Sequence, residues 1–188
     1  LFVFLSMFLV GTPFLLGYIV WTTRNVIRKE KNPLPEWSNY GDMAICGLKL
    51  WLCYFIYYLP LVVIILIPIF ILFWISFMSG NMFYLAFIFG LYGLFLLLTL
   101  AYSLLFPSIY LRFVMTDDIS ETFKINEVFN FTKRNIGNVL LFIVFSWLAG
   151  MIASVGFIAL FVGVFFTMFY AYCIQAHLMG QLQLEDKK

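Results

Sequence analysis

Residues 24–49 read RNVIRKEKNPLPEWSNYGDMAICGLK, a polar island in a very apolar chain. The island holds five of the eleven Lys and Arg residues and three of the nine acids. Before it, residues 1–23 (LFVFLSMFLVGTPFLLGYIVWTT) carry no charge at all. After it, from Met43 to Met78, about 36 residues are apolar apart from Lys49. About 20 consecutive apolar residues suffice to cross a bilayer as a helix, and in hydrocarbon the helix satisfies its own backbone polar groups. The island therefore reads as the loop where two such segments meet the membrane surface. The fold class it dictates is all-α, a polytopic integral membrane protein.

Composition agrees. Of 188 residues 64% are hydrophobic and 11% charged, and the mean hydropathy is +1.03. A soluble domain is about one quarter charged. The length leaves room for roughly four to six spans and little else. We expect about five, near residues 1–23, 59–78, 82–107, 138–153 and 157–177, with two cytoplasmic amphipathic interfacial elements at 24–58 and 108–136. Pro13 predicts a kink or break near residues 9–13. Asn32-Pro33-Leu34-Pro35 ends the first helix, because each proline pushes its predecessor toward extended backbone. Trp37 and Tyr40 suit headgroup depth, and Asp42 is a candidate N-cap.

A straight helix over Met43–Met78 would be roughly 54 Å long against a hydrocarbon core of about 30 Å. Pro60 and Pro68 suggest an interfacial helix near 43–58 that bends into the span near 59–78. A single tilted and kinked helix is the alternative. Ser79-Gly80-Asn81 is a tight turn, and Pro107 is expected to close the third span. Asp118-Ile119-Ser120-Glu121 has the form of a capping box, and Asn126 is a second candidate cap. Apolar Ile119, Phe123, Val128, Phe129 and Phe131 alternate with charged positions, as in helices lying flat at an interface. Ser154-Val155-Gly156 is a short hairpin, and the tail QLQLEDKK is polar.

Charge sorts these segments by side. Residues 24–49, 108–136 and the C-terminal tail hold every charged residue, whereas the turns at 79–81 and 154–156 hold none. The positive-inside rule puts the charged side in the cytoplasm. Both polar loops and the C-terminus are thus expected inside, and the bare turns outside. Residue 1 is a leucine within an apolar run, so the natural chain is expected to begin further upstream. A signal peptide is not expected, since no basic region precedes residues 1–23 and no small-residue cleavage site follows. Residues 1–78 and 82–155 also repeat a span–polar segment–span order, as a duplication would leave it.

Chemistry is sparse. The expected spans hold no Asp or Glu, which removes the usual machinery of ion-coupled transport. His177 is a lone histidine at a span end, better suited to meeting water than to serving as a ligand. No Ser/His/Asp set, metalloprotease motif or Cys-x-x-Cys occurs, and the three scattered cysteines read as packing residues. The acids Asp117, Asp118, Glu121 and Glu127 fit helix capping better than a divalent-cation site. Trp51, Tyr54, Tyr57 and Tyr58 form an aromatic band that reads as an interfacial belt before it reads as a ligand groove. One constellation reaches beyond topology: Arg24, Arg28, Lys29 and Lys31, with Trp37 beside them and Lys133 and Arg134 in the second polar loop. Arg24 and Arg28 share a helix face and are placed to hold anionic lipid headgroups or a partner. Marking the insertion side alone would also account for these cations.

The island carries a resemblance as well. Gly17-Tyr18, Arg24, Arg28, Leu34-Pro35-Glu36-Trp37, Gly41 and Gly47-Leu48-Lys49 resemble the signature of the DUF4013 family, small archaeal and bacterial membrane proteins of unknown function. Phe123-Lys124-Ile125-Asn126-Glu127-Val128 and Asn135 are similar to that family's second cytoplasmic element. The family's amphipathic segment upstream of the signature would precede Leu1. The resemblance implies a polytopic protein of the prokaryotic cytoplasmic membrane and no activity. The chain is therefore expected to be a non-enzymatic accessory or lipid-interacting subunit, with a small-solute or lipid transporter or channel as the alternative. Its expected partners are the bilayer, anionic headgroups, other membrane subunits or further copies of itself, and not nucleic acid. No cofactor, metal or catalytic residue is expected.

Overall fold

The computed structural model describes residues 11–158 and 162–186, and the regular elements in them are all helical. In order they are α1 (Thr12–Ile27), α2 (Tyr40–Leu61), α3 (Ile67–Ser79), α4 (Phe83–Thr116), α5 (Ile119–Thr122), α6 (Ile125–Arg134), α7 (Ile136–Ser154) and α8 (Val162–Asp186). Among the described residues three helical stretches are long and apolar enough to cross a membrane: Tyr40–Ser79, Phe83–Thr116 and Ile136–Ser154. Residues 1–10 of the expected first span, and with them part of the kink expected near residues 9–13, lie outside the described residues. The chain divides into two compact units, residues 1–52 with 104–188, and residues 53–103.

In the first unit, α1 starts from Gly11 with Pro13 in its first turn, where the missing N–H costs nothing. Its other end is a Schellman motif: Lys29 N donates to Val26 O at 2.9 Å and Glu30 N to Asn25 O at 3.1 Å. Lys29 takes the left-handed conformation, φ 58°, that this motif demands and that glycine usually fills. Helix α2 opens on Asn39, whose side chain bonds Asp42 Oδ2 at 2.5 Å and whose backbone oxygen accepts from Met43 N. The N-cap is thus Asn39, and Asp42 sits three residues inside it.

Helices α1 and α2 meet where neither has a side chain. A Cβ at Gly17 would overlap the Met43 carbonyl, and one at Gly47 the Pro13 carbonyl. Met43, Cys46 and Leu50 bury the corresponding stripe of α2. Gly180 of α8 lies against Val26 of α1 in the same manner. Helices α7 and α8 pack through Ala149, Ala153 and Ala171, with Ile174 beside them. Small residues at crossings are what lipid-embedded helices require, because lipid tails supply no hydrophobic drive and close contact must hold the helices together.

The second unit contains no charged residue. Its chain runs from the end of α2 through a π-helical turn, Val62–Leu66, into α3. Ile67 N reaches back to Val62 O across that turn. Pro60 removes one rung of the ladder and Pro68 stands in the first turn of α3. A π turn after a proline re-satisfies the backbone without ending the helix. The two prolines therefore do not interrupt the helical run Tyr40–Ser79. No break separates residues 43–58 from 59–78, so the stretch expected as an interfacial element and the span after it belong to one helical run. Gly80, φ 65°, turns the chain, and Asn81 Oδ1 accepts from Phe83 N at 2.9 Å to start α4.

Three further boundaries differ from those the residues suggest. Pro107 lies inside α4, which continues to Thr116. An interior proline costs about 3 kcal/mol, but Pro107 to Val114 are all buried apart from Arg112, and packing on every side of those turns outweighs the lost bond. The polar tail is helical to Asp186, with Leu182 buried. Asn126 lies within α6, whose N-cap position is Lys124.

Lys29 supplies a test of the α1 terminus. Lys29→Ala and Lys29→Gly both remove the charge, but only glycine relieves the left-handed backbone, at about 1 kcal/mol. The glycine variant should unfold later than the alanine variant in detergent thermal melts. Equal midpoints would mean that Lys29 is not held in that conformation.

Candidate functional site

Three groups of charged side chains lie in the first unit, each joining ends of helices. The first centres on Asp117, which follows the last residue of α4 with φ 57°. Asp tolerates this left-handed position better than most residues, and the turn aims its carboxylate back at α1 and α2. Arg24 Nη2 donates to Asp117 Oδ1 at 3.0 Å and Lys49 Nζ to Asp117 Oδ2 at 3.1 Å. Arg24 Nε also donates to Val114 O at 2.8 Å. The Cys46 thiol lies 3.8 Å from Asp117 Oδ1. One carboxylate thereby ties the end of α1 and the middle of α2 to the end of α4.

Burial pushes the Asp117 carboxyl up, but the bonds from Arg24 and Lys49 outweigh it and hold the group below the usual carboxylate range. Beneath this node the packing is polar but satisfied. Thr23 Oγ1 lies 2.7 Å from the Tyr110 hydroxyl and 3.1 Å from Ala176 O, joining α1, α4 and α8. Ser108 and Thr132 hydroxyls pair at 2.5 Å between α4 and α6.

In the second group Arg112 bonds Glu121 at 3.0 Å and Glu127 at 2.5 Å, while Lys124 bonds Glu121 at 2.7 Å. The capping box is half formed: Asp118 Oδ1 accepts from Ser120 N at 2.8 Å, but Glu121 turns to Arg112 and Lys124. In the third group Arg134 grips Asp186 through both carboxylate oxygens, at 2.8 and 2.7 Å, and Asn135 Nδ2 adds a bond at 2.6 Å. This ties the end of α8 to the junction of α6 and α7. Among the described residues no three His, Cys, Asp or Glu side chains come together as a metal site would need.

An open cleft of about 330 Å³ lies between the end of α1 (Arg24, Ile27, Arg28) and the end of α4 (Val114, Met115, Thr116), with Asp117 at its side. It contains the two arginines of the sequence constellation. Arg28 is exposed; no hydrogen bond or ion pair of its side chain occurs among the described residues. Lys29, Lys31 and Lys133 are exposed as well, whereas Arg134 is committed to Asp186. The constellation thus separates into the cleft pair, the exposed lysines and one structural arginine.

Trp37, the aromatic of the sequence constellation, packs against α1. It is half-buried and stacks on Tyr18 with ring centroids 4.4 Å apart and planes 12° apart. Phe169 of α8 lies 6.1 Å from it. Trp37 pins the loop back onto α1 and α8, which is a packing role. Sequence reasoning missed Asp117 as the hub. A carboxylate next to the end of a long apolar helix was the available signal, and capping arguments absorbed it. Thr23 and Tyr110 gave no signal, since single hydroxyls in apolar helices usually bond their own backbone.

The Asp117 node has a pH signature. A depressed carboxyl contributes stability that is complete above the ordinary carboxylate value of about 4 and is lost as pH falls through the lowered one. Asp117→Asn should lower stability at neutral pH while leaving the acid end little changed, so that the acid limb flattens, read by thermal melts from neutral pH down to about 3. An acid limb as steep as in the native chain would remove Asp117 from the account.

No curated protein and no solved structure matches this chain. A family model described as "Protein of unknown function (DUF4013)" matches residues 1–172. That stretch takes in the Gly17–Gly47 crossing, the stacked Trp37, the Asp117 node and the cleft, and a match of this extent shows that the chain belongs to the DUF4013 family.

Proposed function

We propose that the chain is a five-span protein of the prokaryotic cytoplasmic membrane, with α1, the α2–α3 helix, α4, α7 and α8 as its crossings. Its charged layer and C-terminus face the cytoplasm. It acts there without catalysis, as an accessory subunit that engages lipid headgroups or another membrane subunit. The observation that carries this reading is the pairing of helix ends. Arg24 at the end of α1 meets Asp117 at the end of α4, and Asp186 at the end of α8 meets Arg134 and Asn135 at the start of α7. Ends tied by ion pairs share a side. With α1 ending, α4 ending, α7 beginning and α8 ending on that side, the crossings alternate as five spans require. The excess of Lys and Arg there supports the cytoplasm.

The ion pairs also support a non-catalytic role. Asp117, Glu121, Glu127 and Asp186 are each bound to a cation, and a carboxylate held so is a poor general base. Exposed on this side are the cations Arg28, Lys29, Lys31 and Lys133, interspersed with the acids Glu30, Glu36 and Glu185.

Single cysteines test the orientation, in a background with Cys46, Cys53 and Cys173 replaced by alanine. A cysteine at Ser38 should react with a membrane-impermeant maleimide only in inside-out vesicles, and one at Ser79 only in right-side-out cells. Labelling of the Ser79 position from the cytoplasm would overturn the topology.

A further inference from the structure

We infer that the cleft between the ends of α1 and α4 is a binding site for the phosphate of an anionic glycerophospholipid, with Arg28 as its free cation and Asp117 as the resident anion that the lipid must compete with. This rests on the orientation proposed above, which brings the cleft to the inner leaflet.

The chemistry of the walls favours an anion. Arg24, Arg28 and Asp117 line the cleft, so two positive charges face one negative charge, and Asp117 is itself paired with Arg24 and, outside the cleft wall, with Lys49. Arg24 is held in place by Val114 O and Asp117. These bonds use two of its five N–H donors and orient the guanidinium without exhausting it. Arg28, one helical turn on, has none of its donors engaged among the described residues. A fixed arginine beside a free one suits a tetrahedral phosphate, which accepts forked donors better than a single point charge supplies them.

The walls also favour a lipid over a soluble phosphate. Ile27, Val114 and Met115 line the same cleft, and Met115 is 47% exposed. Both helices are uncharged for several turns before the cleft, α1 from Thr12 to Thr23 and α4 from Phe83 to Leu111. The cationic groups therefore sit within about one turn of where each apolar stretch ends. That is the depth at which a phospholipid carries its phosphate above its acyl chains. The volume of about 330 Å³ takes a headgroup and the first carbons of a chain.

Asp117 sets the selectivity. Its carboxylate occupies the Arg24 donor that a phosphate oxygen would take, so neutral and weakly anionic headgroups do not displace it. Removing its charge frees that donor. The two variants thus have opposite signs, which a general loss of fold does not give.

The test is competitive lipid retention on the full chain, purified in detergent and mixed with phosphatidylglycerol and phosphatidylcholine, with bound lipid counted by native mass spectrometry. Phosphatidylglycerol should be retained preferentially. Arg28→Gln should weaken it about fivefold, the effect of about 1 kcal/mol per cation at a lipid surface. Arg28→Lys should keep part of it, and Asp117→Asn should tighten it severalfold. Inorganic phosphate and glycerol phosphate at equal concentration should not displace the lipid. Unchanged retention in Arg28→Gln would overturn the site, and displacement by inorganic phosphate would overturn the lipid assignment. Weaker retention in Asp117→Asn at an undiminished melting temperature would overturn the competition. None of these outcomes depends on the labelling of Ser38 and Ser79, so topology and site fail separately.

Discussion

The structure depends on a close approach in which two backbones touch. Gly17 of α1 and Gly47 of α2 each face a carbonyl of the other helix at a separation that leaves no space for a methyl group. Helices in lipid gain nothing from hiding apolar surface from one another, so dispersion and backbone contact must hold them. Every methylene that separates them reduces both. From that crossing the rest of the first unit follows. Tyr18, next to Gly17, is buried and receives the Trp37 ring. Two turns beyond it Thr23 reaches Tyr110 and Ala176, and one residue further Arg24 reaches Asp117.

The charged layer finishes what the crossing begins. Exposed ion pairs contribute little singly, on the order of 0–1 kcal/mol, and the pairs here are half-exposed. Their value lies in geometry. Asp117 fixes the ends of α1 and α4 and the middle of α2 against one carboxylate, and Asp186 closes the last helix onto the α6–α7 junction. Arg28, without an ion pair among the described residues, lies beside the apolar ends of α1 and α4. A layer built to hold helices together thereby leaves a surface suited to an anion.

Much of this was legible from residues alone. The polar island at 24–49, the charge-free flanks and the sorting of charge among loops lead to an all-helical, membrane-type chain, and the glycine and tryptophan positions carry the family. The details that were illegible share a cause. Pro60 and Pro107 carry strong local signals for breaking helices, yet a π turn absorbs the first and burial on every side overrides the second. The tail QLQLED reads only as polar, but Leu182 is buried and Asp186 has a partner 52 residues away. Arg24 and Arg134 look alike as cations in polar loops; only the fold commits Arg134 to Asp186 and leaves Arg28 beside Arg24 unpaired. Local propensity cannot anticipate a contact made between distant segments.

The most direct measurement compares two glycines of the same helix. Gly41 lies in the first turn of α2 with open space around it, and Gly47 lies on Pro13. Helix propensity alone favours alanine over glycine by up to about 1 kcal/mol at either position, whereas overpacking costs roughly 1–3 kcal/mol. In detergent unfolding, Gly41→Ala should therefore be neutral or stabilising, and Gly47→Ala should be clearly destabilised. If the two variants unfold together at or above the native midpoint, α1 and α2 do not touch, and the account of this fold is wrong.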